Sequence, residues 1–423
     1  MSEAVRSGEE FRGYHDRALR ELIRTVTSSN EFYREKMRQV DTKTRDLDGL
    51  LKQIPFTIKS ELINDQRTNP PYGTNLTYPL AHYNRYHQTS ATSGTPMRWL
   101  DTPRSWQEIL NQWETLFRIW GVNQDDRALF CFSFGPFLGF WSAFESASHL
   151  GCLCLPGGGL DTVSRIKMIE DHRVTVICCT PTYALRMGKQ AAASRANTSS
   201  VRRIFVAGEP GGSTDGVRKQ LQTLWSKAVI VDHHGMTEVG PVSYAWPKDP
   251  NFLRVIDTAF LAEVVDPQTG EDVAIGERGE LVLTTLKRSA MPLIRYRTGD
   301  LVERADAEPV SGVSSRLALR GGILGRLDDM VVIRGVNIYP SAIDDIVWSI
   351  DGIEEYRVKQ SRQNAMNELS LEIEVQPRHE PNQIIHDLEQ AFRSAFSMRI
   401  PVVSVPQGVL PRFELKARRW VKQ

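Results

Sequence analysis

The chain has 423 residues, 52 of them basic and 51 acidic, for a formal net charge of +1, and 41% of it is hydrophobic. That length predicts two or three domains, and the composition excludes a disordered protein. The balanced charge leaves no footprint for nucleic acid or an anionic membrane, and no run approaches the ~18 apolar residues needed to span a bilayer.

Residues 1–20 are polar and charged without an apolar core, so no secretory signal is read and a cytoplasmic setting is expected. Helices are predicted over 8–26 and 104–120. In the second, Trp106, Ile109, Leu110, Trp113, Leu116, Phe117 and Trp120 recur at steps of three and four, an apolar stripe that faces a core. From 128 to 232 short apolar strands (128–132, 152–155, 174–179, 203–207 and 228–231) alternate with helical patterns at 137–149, 162–172, after Pro181 and at 214–226. Such alternation predicts a parallel sheet with crossover helices. After 255 the pattern turns to β: 261–265 and 280–284 flank the turn Asp266-Pro267-Gln268-Thr269-Gly270. Residues 303–322 are charged and rich in Ser and Gly, and read as a loop. Beyond them Leu369, Leu371, Ile373 and Val375 alternate with polar residues as a half-buried strand, and 382–397 reads as a helix. The five cysteines, Cys131, Cys152, Cys154, Cys178 and Cys179, lie in apolar segments without zinc spacing and read as buried thiols.

Five segments carry the chemistry. Ser90-Ala91-Thr92-Ser93-Gly94-Thr95-Pro96 is a small, hydroxyl-rich loop whose backbone N–H groups can cradle phosphate, although it lacks the spacing of a standard P-loop. Read alone, it is a polar surface loop. Asp232-His233-His234-Gly235-Met236-Thr237-Glu238 follows a strand, the place where α/β sheets bind ligands. A Thr and a Glu there can hold a phosphate and Mg²⁺; the adjacent histidines point apart on an extended chain, which disfavours a shared metal. In Leu293–Asp300, Asp300 can accept both hydroxyls of a ribose or merely complete a Gly-Asp turn. Gly325-Arg326-Leu327-Asp328-Asp329 leads to Arg334-Gly335-Val336-Asn337, with Asp328 a candidate hinge. Leu410–Ala417 contains Lys416, a surface charge unless its domain folds over the phosphate loop.

These five segments, in this order, resemble the adenylate-forming superfamily, and within it the phenylacetate–CoA ligase-like branch. Phe32-Tyr33-Arg34, Ile54-Pro55-Phe56-Thr57, Cys178–Leu185, Gly276–Thr285, Pro292–Arg297 and Arg334–Pro340 are similar to that branch as well, so the resemblance spans nearly the whole chain except 240–260 and 303–322. The fold it implies is α/β: a large N-terminal adenylation domain (1–327) of parallel and mixed sheets with crossover helices and a β-subdomain, and a small mobile α+β domain (328–423). The activity it implies is ATP-dependent conversion of a carboxylic acid to acyl-AMP with release of pyrophosphate, then transfer to the CoA thiol. The cofactors it implies are ATP, Mg²⁺ and CoA, or carrier-protein phosphopantetheine in place of CoA.

Carried over residue by residue, Ser90, Thr92, Ser93, Gly94 and Thr95 would hold the β- and γ-phosphates. Gly208, Glu209 and Pro210 would line the adenine side. Asp232, His233, His234, Gly235 and Met236 would belong to the nucleotide site, with His234 in place of a stacking Tyr. Thr237 would contact the α-phosphate, Glu238 would bind Mg²⁺, and Asp300 would hold the ribose with Arg326 nearby. Lys416 would bridge the attacking carboxylate and the α-phosphate. The small domain would then swing about Asp328, and the backbone at Gly335 would line a pantetheine tunnel.

Three departures stand out. Ala91 replaces a usual Gly and Thr95 a usual Lys, which weakens neutralisation of pyrophosphate; residues 301–323 contain no Cys, so no structural zinc is expected; and His234 replaces the aromatic. Phe134, Phe137, Leu138 and Trp141, with Gly208, His234 and Gly235, are the candidate acid pocket, suited to an aromatic acid. Two other readings stay open: transfer to a carrier protein or an amine in natural-product assembly, and an inert nucleotide-binding homologue. The partner expected is a small-molecule carboxylic acid, in a monomer or homodimer.

Overall fold

The computed structural model describes residues 8–89, 96–308, 310, 314, 316–333, 336–363, 366–413 and 417–422. Two compact units emerge, one of Met1–Gly158 with His233–Arg320, the other of Gly159–Asp232 with Gly321–Gln423. The expected boundary at 327/328 lies inside the second.

In the first unit the helix Gly8–Ser29 presents Leu19, Leu22, Ile23 and Val26, at steps of three and four, to Tyr33, Leu50, Ile54, Leu286 and Ile294. The helix Pro103–Ile119 starts where the Thr102 hydroxyl accepts from Ser105 N (3.2 Å) and Pro103 takes the first helical position. Its expected stripe is buried from Trp106 to Phe117. The strands Arg127–Phe130 and Leu153–Pro156 pair in parallel around the helix Leu138–His149. The later part is antiparallel: Phe260–Val265 pairs with Arg278–Thr285, which pairs with Tyr296–Asp306. Asp266 closes the predicted turn, its Oδ1 accepting from Gln268 N and Thr269 N at 2.9 and 2.8 Å.

One expectation is corrected here. The span 303–322 is not a loop throughout: the strand Tyr296–Asp306 takes its beginning, and Leu317–Arg326 takes its end, with Ala318 and Leu319 opposite Arg254 and Leu253. Val302, Ala305, Ala318 and Leu319 are all buried. The charges that suggested a loop are paired, Glu303 with Arg278 and Arg320 at 3.8 and 3.0 Å. Alternation at period two, diluted by long charged side chains, hides such strands.

The second unit contains the predicted parallel strands: Val176–Cys179 beside Arg203–Val206, and that beside residues 229–232. Thr180 caps the helix Pro181–Ser194, and Asp161 the helix Thr162–Asp171. Farther on, Ile353–Gln363 and Met366–Val375 form an antiparallel hairpin, flanked in parallel by Trp420–Lys422 and Val402–Val405. Leu369, Leu371, Ile373 and Val375 are buried as expected, with Ile384, Leu388 and Phe392 of the helix Pro381–Phe396. The five cysteines are free thiols, and all but Cys154 are buried.

Candidate active site

In the first unit Thr237 and Glu238 sit in the tight turn between strands ending at Met236 and beginning at Gly240, whose φ of +96° favours glycine. The expected strand at 228–231 is longer: it runs to Met236, so His233 and His234 lie on a strand and not in a turn. They point apart. His233 meets Trp113 edge-on at 4.4 Å, whereas His234 Nε2 lies 3.1 Å from Asp300 Oδ2. Two residues assigned to the nucleotide thus meet, both nearly buried, with side chains 10% and 5% exposed. Gly299, at φ +76°, turns the chain before Asp300, and its N–H is held by Glu280 Oε1 at 2.9 Å. The motifs around Tyr33, Thr57 and Ile294 brace the chain just before the strand Tyr296–Asp306: Tyr33 Oη accepts from Ile294 N, and Thr57 Oγ1 donates to Ile294 O, both at 2.8 Å.

What holds Thr237 and Glu238 is a residue the sequence did not reveal. Arg288, with 1% of its side chain exposed, donates to the carbonyls of Thr237 and Glu238, both at 2.8 Å. Its other face makes a bidentate pair with Asp101, at 2.8 and 2.6 Å. Asp101 ends the strand Arg98–Asp101, which pairs with Arg85–Gln88, and the phosphate loop connects these two strands. Arg288 therefore ties the stem of that loop to the Thr237–Glu238 turn. In sequence it is one of a Lys287-Arg288 pair before Ser289, with nothing local to mark it. Lys59, equally unforeseen, places Nζ 3.7 Å from Glu238 Oε1.

His87 stacks on Trp106 with ring centroids 5.0 Å apart. Burial, then the charge of Arg288, pushes its pKa from 6.5 to about 4. Burial, then His234, pushes His233 down to about 3. Because both folded values are lowered, the stability they contribute is complete above pH 6.5 and is lost as pH falls toward 4. The unfolding midpoint is expected to fall over that window, before most carboxylates titrate. The slope should flatten in His87→Asn; an equal slope would assign the loss elsewhere.

Of the candidate acid pocket, Phe134 packs edge-on against Trp141 at 5.1 Å, and Trp141 Nε1 donates to Gly135 O at 2.9 Å. Phe137 meets Phe140, itself stacked on Phe132 at 4.2 Å. Leu138 is spent on the core with Trp106, Ile109 and Leu110.

In the second unit Gly208 has φ +92° and introduces Glu209 and Pro210. Those two, with Pro181, Arg326, Asp344, Ala417 and Arg419, line a pocket of about 180 Å³. Arg326 Nε donates to Asp328 Oδ1 at 3.0 Å, and the candidate hinge Asp328 lies in a short turn, 71% exposed. Asp232, buried, accepts from Ser213 Oγ at 2.6 Å, and a Cβ on Gly212 would sit 2.4 Å from its Oδ1; the fold itself uses this carboxylate. Burial pushes Asp344 up to about 7, opposed by Arg419 and reinforced by Glu209 and Glu355. The phosphate-loop residues Ser90, Thr92, Ser93, Gly94 and Thr95, together with Gly335 and Lys416, lie outside the described residues. Among the described residues there is no trio of His, Cys, Asp or Glu fit to hold a metal, and no helix is long and apolar enough to cross a membrane.

Residues 89–287 match the family described as AMP-binding enzyme, and residues 335–423 its C-terminal domain. The chain belongs to this family of AMP-binding enzymes, in its phenylacetate–CoA ligase-like branch. It is 31% identical over 376 residues to the phenylacetate-coenzyme A ligase of Thermus thermophilus, covering 87% of this chain and 82% of the relative. Against the phenylacetate-coenzyme A ligase of Escherichia coli it is 28% identical, over 98% and 95% of the two chains. The solved 2-hydroxyisobutyryl-CoA ligase, in a postadenylation state with an acyl-AMP, superposes with a TM-score of 0.89 at 24% identity, over 98% of this chain and 89% of that one, and shares the fold.

Proposed function

We propose that the protein activates an aromatic carboxylic acid of the arylacetate kind with ATP and passes the acyl group to CoA. A carboxylate oxygen attacks the α-phosphorus of ATP, the bond to pyrophosphate breaks, and a mixed anhydride with AMP forms. The CoA sulfur, its proton lost, then attacks the acyl carbon and AMP departs. The first step needs no general base, because the acid is already ionised. It needs positive charge at phosphorus, where negative charge grows.

The observation that carries the reading is the clamp on Thr237 and Glu238 by Arg288, in a chain that matches phenylacetate–CoA ligases along nearly its full length. Thr237 would hold the α-phosphate, Asp300 the ribose hydroxyls with His234 fixing its orientation, and Arg326 would contact the nucleotide. Ser90–Thr95 would hold the outer phosphates, and Lys416 would bridge carboxylate and phosphate. Glu238 suits Mg²⁺: its carboxylate is 9% exposed and stands apart from other acidic ligands, and Mg²⁺ needs only one or two carboxylates beside phosphate and water oxygens. Bound there, the ion would neutralise phosphate charge. Residues 328–423 form the mobile domain in this reading, with Asp328 the hinge and Gly335 on the pantetheine path. The aromatic lining at Phe134, Phe137 and Trp141 favours an aryl acid, and the setting is cytoplasmic.

The test is pyrophosphate release with ATP and Mg²⁺ over aryl, arylalkanoic and aliphatic acids, with and without CoA. The expected result is release that depends on an arylacetic acid, accelerates with CoA and yields the thioester. Release without a thioester would transfer the second step to a carrier protein or an amine, and no release with any acid would overturn the assignment.

A further inference from the structure

Glu209 uses both carboxylate oxygens on backbone N–H groups. Oε1 accepts from Thr182 N at 2.7 Å, in the first turn of the helix Pro181–Ser194, where negative charge is favoured. Oε2 accepts from Ala417 N at 3.2 Å. Ala417 is the residue directly after Lys416.

The chain on either side of 414–416 is already tied down. Before it, Arg412 pairs with the buried Glu374 at 2.5 Å. After it, Arg419 donates to Glu355 Oε1 at 2.7 Å, lies against Tyr356 and Trp348 at 4.9 and 5.2 Å, and offers its carbonyl to Val358 N at 2.8 Å. Those anchors belong to two strands and a helix of the C-terminal region, and would travel with it in the proposed cycle. Glu209 is different, because it follows the strand Arg203–Val206, outside the region 328–423 proposed to move. If the C-terminal region swings as proposed, this bond to Ala417 would break with it.

We infer that Glu209 is a positioning residue for the first half-reaction, a latch that fixes the backbone next to Lys416 while the acid is being adenylated and lets go before transfer to the thiol. The inference rests on the proposed roles of Lys416 and of domain movement. It goes beyond the expectation that Glu209 lines the adenine side. The carboxylate is needed as an acceptor twice over. In Glu209→Gln the amide oxygen can still take the Thr182 N–H, but its NH₂ group then faces the Ala417 N–H, donor against donor.

The test separates the half-reactions in the full-length chain. Acid-dependent exchange of pyrophosphate into ATP reads the first, and thioester formation from supplied acyl-AMP and CoA reads the second. Glu209→Ala and Glu209→Gln are both expected to slow exchange by roughly 10- to 100-fold, the scale of a lost charge-assisted hydrogen bond, with the KM for ATP little changed. Thioester formation should stay within about threefold of wild type. Ala417→Pro, which removes the N–H while also fixing φ at that position, should give the same split and serves if a Glu209 variant does not fold. Equal losses in both half-reactions would reduce Glu209 to a structural role and overturn the latch. So would a raised KM for ATP with unchanged kcat, which would return Glu209 to the adenine wall. Absence of exchange in the wild type would overturn the ligase reading instead, so the two failures are distinct.

Discussion

Arg288→Ala is expected to destabilise the fold by about 3–5 kcal/mol and to abolish measurable adenylation in whatever folded fraction remains. The loss is large because three partners are stranded at once. Asp101, with none of its side chain exposed, keeps a negative charge without its cation, and the carbonyls of Thr237 and Glu238 lose their donor. Each is a buried polar group, and the cost of such a group lies mostly in leaving it unpaired. The residual partners of Asp101 cannot compensate: Ser105 Oγ donates at 2.9 Å, and His87, held neutral by its lowered pKa, lies 4.0 Å away.

Stability and positioning can be told apart. Replacing the whole pair, with Arg288→Met and Asp101→Leu together, removes both buried charges, and such replacements are often close to neutral. The double variant should unfold at a denaturant concentration nearer the wild type than either single variant, a favourable coupling between the two sites. Its pyrophosphate release should nonetheless remain low, because nothing then fixes the Thr237–Glu238 turn to the stem of the phosphate loop. Additive losses in unfolding, or recovery of activity in the double variant, would show that the pair does not act as this clamp.

The asymmetry between what could be read and what could not follows from range. Thr237, Glu238 and Asp300 could be singled out as candidates because a short motif carries its own chemistry: a hydroxyl beside a carboxylate after a strand, a carboxylate after a glycine turn. The helix stripe at Trp106–Phe117 and the alternation at Leu369–Val375 were legible because each is a local period set by the backbone. Arg288 was not, since its partner Asp101 is 187 residues away and no local pattern couples them. Glu209 was singled out in sequence, but its contacts were not, because sequence shows that a carboxylate is present and not which N–H groups it faces. The strands at 296–306 and 317–326 were missed for a third reason: paired charges along a strand look, in one dimension, like the solvated charges of a loop. The meeting of His234 with Asp300 belongs with Arg288. Both residues were singled out, yet their contact spans two segments and only folding creates it.

Lys416→Ala is expected to slow acyl-adenylate formation by roughly 10²- to 10³-fold, the scale seen when one preorganised donor to a developing oxyanion is removed. The argument starts from charge. The attacking carboxylate and the α-phosphate repel each other, and phosphorus gains negative charge as the new bond forms. A cation placed between them both lowers that repulsion and stabilises the transition state, so the effect falls on kcat more than on the KM for the acid. Lys416→Arg keeps the charge but changes the geometry from a compact ammonium to a planar fork, and should recover only part of the rate. Thioester formation from supplied acyl-AMP should stay within about threefold in both variants, because in the proposed cycle Lys416 has by then left the site. A comparable loss in that second step would mean that Lys416 stays engaged through both, and a domain swing about Asp328 would no longer be needed. The comparison with Glu209→Ala sharpens this further. If Glu209 acts only by placing the chain beside Lys416, then removing it in the Lys416→Ala background should cost almost nothing more, a strongly non-additive pair.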